Sequence, residues 1–421
     1  MPIRHMLFVI FSLLLGIGIL LVGHGLAGTL LSLRATFEQY SESLVGFIMS
    51  AYFVGYIFGT FYGPRMINRI GHIRMFAIAA ALASSVMLLH GLWVNPWFWL
   101  VMRLVYGVAV VSIYLVIESW LNERSSSELR GRVFAVYMLV NLLTLAAGQH
   151  LLALAEIGEM DLFAIAAIFF ALSLVPVAWT RLPEPGRVDA PSVDLRMLYR
   201  VAPLGMWACL VAGLVGGALF TMGPMYAIQS GLDTAQVALF MSATMLGGAF
   251  FQWPVGHWSD RGDRRKVMLG VTLLAAVFAL ASVFAGALPF WMLCASMFGF
   301  GGAYFCLYPL SVAHTNDRAD PSQYVTLGSS LLLMYGLGAT IGPMISGALM
   351  QAFGIQSLPV FYVASLTAFS LLVLWRIRHV EAVPDAECTE FAPLVRTTGV
   401  SMEVNQEEHA HEHAPVTTHN T

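Results

Sequence analysis

The segment Val45-Gly-Phe-Ile-Met-Ser-Ala-Tyr-Phe-Val-Gly55 is matched 192 residues later by Val237-Ala-Leu-Phe-Met-Ser-Ala-Thr-Met-Leu-Gly247. Five of the eleven positions are identical, including Met-Ser-Ala. Nearly the same offset relates three further pairs: Gly107 with Gly299, Arg69 with Arg261, and Gly148 with Gly342. One match of this kind arises by chance between apolar segments, whereas several at one offset indicate an internal repeat. The sequence therefore predicts two similar halves.

The composition is that of a membrane protein. Hydrophobic residues make up 58% of the chain and charged residues 11%, against about 45–50% and 25% in soluble domains. The mean hydropathy is +0.76. Twelve apolar runs approach or exceed the roughly 20 residues that a spanning helix needs. They lie at about 7–33, 44–62, 75–92, 97–121, 133–155, 160–181, 201–228, 234–255, 267–287, 289–312, 324–351 and 354–376. We expect an all-α membrane protein with twelve transmembrane helices in two pseudo-symmetric six-helix bundles.

Lys and Arg are distributed very unevenly between the predicted loops. Of 21 such residues, 19 fall before the first run, in alternate loops or after the last run, while the other loops hold only Arg34. Because cytoplasmic loops collect Lys and Arg, both termini are predicted to be cytoplasmic, in a bacterial inner membrane. The basic residues form no patch with interleaved aromatic residues, so we expect no nucleic acid partner.

Four regions follow from these patterns. We expect an N-terminal bundle over 1–181, a Pro-rich cytoplasmic linker over 182–200 and a C-terminal bundle over 201–378. Residues 379–421 hold eight acidic residues and one Arg, which predicts a disordered cytoplasmic tail. The alternative interpretation of the tail is a metal-binding segment, because it contains the alternating histidines His409, His411 and His413. No second cluster completes such a site, so no metal and no cofactor are expected.

Two loops at corresponding positions carry a related motif. Between spans eight and nine stands Gly256-His-Trp-Ser-Asp-Arg-Gly-Asp-Arg-Arg-Lys266, and between spans two and three stands Gly63-Pro-Arg-Met-Ile-Asn-Arg-Ile-Gly-His-Ile-Arg74. Both resemble the loop motif of the major facilitator superfamily, over essentially residues 1–378, and within it the YcaD-like bacterial group. The resemblance implies alternating access: the halves rock about a site near the middle of the membrane.

The resemblance also implies gating roles for the two loops. In the family an Asp and a following Arg hold a helix end, which Asp260 with Arg264 or Arg265 could reproduce. The chain departs from the family pattern at Asn68, where Asp is usual, and at Asp263, where Gly is usual. The sequence therefore does not predict a symmetrical pair of charged clamps. The gating positions implied are Asn68, Arg69, Gly71, Asp260, Arg261, Arg264 and Arg265.

Few ionisable residues lie inside the spans. Arg103-Leu-Val-Tyr-Gly107 resembles the family's span-four pattern, which implies that Arg103 faces a cavity and contacts substrate or tunes a proton carrier. The alternative is that Arg103 snorkels toward the outer surface. Glu118 lies 15 residues further on, roughly 22 Å along the helix, so it cannot pair with Arg103. It is either a proton carrier or the partner of a cytoplasmic Arg.

Other polar groups are further candidates for the cavity lining. His24 lies between two glycines and is either a substrate or proton contact or a packed histidine, and Gln149 or His150 is expected to face the cavity. The second half offers aromatic and polar groups that either line the cavity or pack: Tyr226, Gln252, Trp253, Tyr304 and Tyr308. Gly338, Gly342 and Pro343 lie in a Gly-rich span eleven. This stretch resembles an antiporter-type Gly-Pro motif, although that motif normally marks span five, and it predicts bending during gating.

The function expected is secondary transport. The chain lacks a phosphate-binding Gly-Lys-Ser/Thr motif and any enzyme constellation, so energy must come from a gradient. We expect a monomeric carrier of a small organic solute, either proton-coupled or facilitative, with proton coupling and export favoured. The alternatives are a non-transporting sensor on the same scaffold, weakened by the lack of an output domain, and a membrane enzyme or respiratory subunit, which the repeat opposes.

Overall fold

A computed structural model describes residues 3–125, 127–179, 185–188, 190–284 and 288–380, with the side chains of 3–9, 127 and 128 left out. The predicted tail beyond residue 380, including His409, His411 and His413, lies outside the described residues. So do residues 182–184 and 189 of the predicted linker.

Fifteen α-helices run through the described residues. In the first half these are α1 (Ile3–Phe37), α2 (Glu42–Ile70), α3 (His72–Leu92), α4 (Pro96–Arg124), α5 (Ser127–Gln149, then a 3-10 turn His150–Leu154), α6 (Asp161–Leu172) and α7 (Leu174–Trp179). After the linker helix α8 (Leu195–Val201) come α9 (Pro203–Gln229), α10 (Thr234–Ser259), α11 (Arg264–Val283), α12 (Phe290–Phe305), α13 (Leu307–Asn316), α14 (Tyr324–Phe353, preceded by a 3-10 turn Pro321–Gln323) and α15 (Ser357–His379). They supply twelve segments that are long and apolar enough to cross a membrane. The predicted fold class is confirmed.

Two predicted spans are divided by proline. The sixth divides into α6 and α7 at Ser173, and the tenth into α12 and α13 at Cys306. Pro176 and Pro309 stand four residues after Leu172 and Phe305, so each removes the backbone N–H that would have continued the helix. By contrast, α14 is continuous through Pro343.

The helices also extend further than the apolar runs predicted. The second span continues to Ile70 rather than 62, and the tenth to Asn316 rather than 312. Hydropathy marks only the apolar part of a helix, whereas polar residues such as Arg65 and Asn68 prolong it beyond that part. The short helix α8 inside the linker was not predicted.

Glycine allows equivalent helix pairs to approach closely in both halves. A Cβ at Gly148 would lie 2.1 Å from the Val22 carbonyl oxygen, where α5 crosses α1. A Cβ at Gly342 would lie 2.2 Å from the Leu214 carbonyl oxygen, where α14 crosses α9. Since Gly148 and Gly342 are a pair in the sequence repeat, the repeat corresponds to a repeated helix crossing.

The two bundles contact each other at one end. Ser50 of α2 donates to the Thr340 carbonyl of α14 at 2.7 Å, and Ser242 of α10 donates to the Ala146 carbonyl of α5 at 3.0 Å. Gln229 donates to Glu42 at 3.1 Å. We call this region the closed end. The opposite side carries the Arg-rich loops and the linker, and we call it the basic face.

Candidate functional site

A central cavity of about 190 Å³ lies between the bundles. A single water needs only about 10–15 Å³ on the same measure, so the space accommodates an organic molecule. Its lining extends from Thr29 and Gln149, near the closed end, to Pro191 of the linker. The cavity is therefore closed at one end and opens toward the basic face.

Arg103 lines this cavity and is only 4% exposed. It therefore does not snorkel to the surface. Its guanidinium carbon lies 4.8 Å from the ring centre of Tyr52 and 5.8 Å from that of Tyr106. Its Nε is buried without a hydrogen-bond partner.

The two aromatic rings lower the cost of burying this charge but supply no opposite charge. Each cation–π contact contributes about 0.5–2 kcal/mol, and a charged Arg in a spanning helix costs up to about 2.5–3.5 kcal/mol or more at the helix centre. Within the described part of the chain, Arg103 forms no ion pair and no hydrogen bond. The site thus holds a positive charge with room for a negative partner.

His24 joins the same aromatic cluster. Its Nδ1 lies 2.6 Å from the Tyr106 hydroxyl, and its ring centre lies 5.8 Å from that of Tyr52. Both His24 and Tyr52 line the cavity, whereas Tyr106 supports them from behind. Tyr106 thus fixes the position of His24 beside Arg103.

Gln149 lines the cavity beside this cluster, whereas His150 does not. Gln149 accepts a hydrogen bond from Thr29 at 2.6 Å and donates to the Gly25 carbonyl at 2.9 Å, which ties α5 to α1. The exposed His150 ring lies 3.1 Å from the Ser242 hydroxyl. His150 therefore belongs to the closed end rather than to the cavity.

Glu118 and Gly107 lie behind the cavity wall. Glu118 is fully buried and accepts a hydrogen bond from the Tyr137 hydroxyl at 3.1 Å. Tyr56 and Tyr114, which interact electrostatically with Glu118, line the cavity. A Cβ at Gly107 would lie 2.1 Å from the Tyr52 carbonyl oxygen, so Gly107 lets α4 lie against α2.

The second half contributes a mainly apolar wall, and not through the residues named from the sequence. Among those five, Trp253 is 80% exposed on the bundle surface, while Tyr226, Gln252 and Tyr304 bond to backbone carbonyls and Tyr308 is buried. None of the five lines the cavity. The wall is instead built mainly by Phe220, Met245, Phe305, Leu332, Leu333 and Tyr335. In a helix that is apolar all round, the sequence does not show which apolar residues face the cavity. The residues of this wall were therefore not predicted.

Comparison with known proteins decides the family. Residues 7–261 and 230–400 match the profile of the Major Facilitator Superfamily. The chain belongs to the major facilitator superfamily. The uncharacterized MFS-type transporter YcaD of Escherichia coli O7:K1 (strain IAI39 / ExPEC) is 29% identical over 369 residues, covering 86% of this chain and 94% of the relative. The predicted resemblance is thereby confirmed.

Solved structures of this superfamily share the fold. The nucleoside transporter NupG superposes with a TM-score of 0.72 at 12% identity, covering 88% of this chain and 100% of NupG. A D-xylose–proton symporter superposes with a TM-score of 0.67 at 16% identity, covering 89% of this chain and 98% of the symporter. Since members of the superfamily are transporters, the chain is a secondary transporter and not an enzyme, and its twelve spans make it a multi-pass membrane protein.

The second copy of the superfamily loop motif forms an ion-pair cluster on the basic face. Arg264 lies 2.7 Å from Asp317 and 3.3 Å from Asp260. Asp263, which stands where the superfamily usually has Gly, caps α11 and lies 2.8 Å from the Arg265 guanidinium. Sequence reasoning missed Asp317, because it lies two spans away from the motif.

The neighbours of Asp263 on the basic face shift the pKa of its carboxyl group. Partial burial raises the pKa of its carboxyl, but hydrogen bonds from the side chain and backbone of Arg265, with the charges of Arg265 and Lys266, lower it by more. The pKa of Asp263 therefore lies below its ordinary value.

The first copy of the motif is not an ion pair. Asn68 donates to the Val188 carbonyl at 2.8 Å and accepts from the Val188 N–H at 2.9 Å. The linker is thus held against α2 by a pair of neutral hydrogen bonds. Gly71 ends α2 with φ of 89°, whereas Arg69 and Arg261 are exposed.

The Gly-rich part of α14 is an interface on two sides. A Cβ at Gly338 would lie 2.2 Å from the Leu210 carbonyl oxygen of α9. On α2 of the other half, a Cβ at Gly46 would lie 2.2 Å from the Pro343 carbonyl oxygen. Gly338 and Gly342 thus face α9, and Pro343 lies at the closed end.

Proposed function

We propose that this chain moves a small organic solute across the bacterial inner membrane by alternating access. The observation that carries the proposal is the central cavity, which is closed on one side by contacts between the bundles and open on the other. A solute enters from the open side, the bundles rock, and the contacts form at the opposite end. The bundles of this proposal are residues 1–181 and 201–378, joined by the linker.

The orientation follows from charge. The basic face carries nearly all the Lys and Arg of the loops, so we place it and both termini in the cytoplasm. In that orientation the cavity opens inward, ready to take up a cytoplasmic solute. We favour export over uptake, by a monomeric carrier, because of Arg103 and the antiporter-type Gly-Pro stretch of α14.

Proton coupling is assigned to the first half. It supplies Glu118, His24 and Arg103, the ionisable groups that lie at or behind the cavity wall. Ionisable residues in spans mark ion and proton pathways. One structure of similar fold is a D-xylose–proton symporter, so the fold is compatible with proton-driven transport.

The test uses purified protein in vesicles. A thermal-shift screen of small organic solutes selects ligands, and their flux is then measured with and without an imposed pH gradient. We expect gradient-dependent flux that falls at least about tenfold in Arg103→Ala. The exchange of solute without a gradient should persist in Glu118→Gln, whereas gradient-driven accumulation should disappear.

Two results would contradict this. Ligand binding without movement in either direction would make the protein a sensor rather than a carrier. Unchanged flux and pH dependence in both variants would remove the proton assignment. Arg378→Ala, at an exposed arginine in the last turn of α15 and outside both loop motifs, is the control and should behave as the wild type.

A further inference from the structure

The central cavity has two chemically different walls. The first half contributes most of the polar groups, among them His24, Tyr52, Arg103 and Asn141, together with apolar residues such as Phe53. The second half contributes mainly apolar ones, among them Phe220, Met245, Phe305, Leu332 and Leu333. A solute that satisfies both walls has a polar end and an apolar body.

The charge of the polar wall is positive and single. No described lining residue is Asp or Glu, and Arg103 is the permanent cation among them. Its Nε is buried with no partner, and its guanidinium carbon lies 4.8 Å and 5.8 Å from the ring centres of Tyr52 and Tyr106. Such ring contacts use none of the N–H donors of the guanidinium, and these donors match a carboxylate.

We propose that the transported solute is an amphipathic organic monoanion, such as a monocarboxylate with an aliphatic or aromatic tail. Its carboxylate pairs with Arg103, and its tail lies against Phe220, Met245 and Phe305. This inference rests on the proposed function, because it names the substrate of the same cavity.

The two walls exclude other classes. An organic cation is repelled by Arg103 and finds no described carboxylate in the lining. A polyol or sugar needs hydrogen bonds on all sides, whereas the second wall offers few polar groups, chiefly Thr221, Ser329 and Tyr335. A dianion leaves one charge without a partner in an apolar space.

The experiment is equilibrium binding to the purified full-length protein in lipid nanodiscs. The probes are 4-phenylbutyrate, its neutral isostere 4-phenylbutyramide, octanoate, octanamide and acetate. We expect the two long acids to bind, and their amides and acetate to bind at least about tenfold more weakly. For the amides, that ratio is the range expected when one hydrogen-bonded charge pair is lost. Acetate keeps the charge but lacks the apolar tail that would be buried against the second wall.

Variants assign the effect to the residue. Arg103→Gln should weaken binding of both long acids by about 10- to 100-fold, and Arg103→Lys, which keeps the charge without the planar fork, should give an intermediate loss. Arg34→Gln is the matched control, since Arg34 is also buried but lies outside the cavity lining. Size-exclusion profiles establish that each variant is folded.

The inference is overturned if the amides bind as tightly as the acids, if neither long acid binds, or if Arg103→Gln binds the acids as the wild type does. The proposed function fails separately. Vesicles that bind a long acid without moving it remove transport but keep the anion site. Vesicles that transport a neutral solute but do not bind a long acid keep transport and remove the anion site.

Discussion

Two buried arginines near the closed end are held in opposite ways. Arg34 pairs with Glu38 at 2.7 Å and donates to the carbonyl oxygens of Gly158 at 2.6 Å and Ile157 at 3.2 Å. Arg103 lies against two aromatic rings and has no such partner among the described residues. A buried charge with partners stabilises the fold around it, whereas one without partners lowers stability and is available to a ligand.

This contrast predicts that substitution of Arg34 affects mainly stability, whereas substitution of Arg103 affects mainly transport. Arg34→Gln should lower the free energy of unfolding by about 1.5–3 kcal/mol, since charged hydrogen bonds are lost, while flux per folded molecule is kept. Arg103→Gln should leave the thermal midpoint unchanged or higher and abolish flux. Thermal unfolding in detergent and vesicle flux measure the two effects. A large loss of stability in Arg103→Gln would show that its charge is compensated after all.

Asp263 predicts a pH dependence of stability. Its pKa in the folded protein is depressed, so its ion pair with Arg265 stabilises the fold above the unfolded pKa of about 3.9 and is lost as pH falls through the folded value. Asp263→Asn keeps a residue that can cap α11 but removes the charge. We expect it to lower stability by up to about 1 kcal/mol at pH 7.

The measurement is the thermal midpoint of both proteins from pH 8 to pH 3. The difference between them should be constant from pH 8 to about 5 and should shrink below about 4. If the difference in thermal midpoint were as large at pH 3 as at pH 7, the charge of the Asp263 carboxylate would not be its cause.

At the scale of elements, the linker is fastened to both bundles on the basic face. Asn68 of α2 binds the backbone of Val188 through two hydrogen bonds. Further along, Ser192 lies 2.7 Å from the Thr326 hydroxyl, and the Asp194 N–H donates to Ser330 at 3.0 Å. The linker therefore bridges α2 and α14 while the cavity is open toward it.

Loss of the Asn68 contacts should release the first part of this bridge. Asn68→Ala removes both hydrogen bonds, each contributing about 0.5–1.5 kcal/mol, so trypsin should cleave after the exposed Arg187 several-fold faster. Asn68→Asp, the residue usual in the superfamily, keeps the acceptor but cannot donate to Val188 when ionised, so its rate should be intermediate. Arg378→Ala, an exposed position in α15, is the control. Equal cleavage rates in all four proteins would show that Asn68 does not hold the linker.

These elements also show how far the sequence could be interpreted. Hydropathy and charge predicted twelve spans, because burial in lipid is a property of each segment alone. The clamp of Arg264 by Asp317 and the binding of Val188 by Asn68 join segments 53 and 120 residues apart. No local pattern specifies such contacts, since they depend on how the helices pack. Arg103 was found because charge is rare in spans, whereas the apolar wall around Phe305 was not.

For the whole molecule, the open cavity and the closed end are two sides of one conformation. The bundles meet through Ser50 and Thr340, and through Ser242 and Ala146, at the end remote from the linker. A carrier that works by alternating access must break these contacts in every cycle. If these contacts only stabilised a static fold, cross-linking them would not change the flux.

A reversible cross-link at the closed end separates these possibilities. Ser50→Cys with Thr340→Cys, in a background without native cysteines, can be joined by a short bifunctional thiosulfonate reagent, because the Ser50 hydroxyl and Thr340 carbonyl are 2.7 Å apart. We expect joining to reduce flux at least about tenfold and a reducing agent to restore it. Binding of 4-phenylbutyrate from the basic face should persist, since that side stays open. The single-cysteine variants treated alike are the controls. Full flux in completely cross-linked protein would mean that the closed end never opens, and alternating access between these bundles would have to be abandoned.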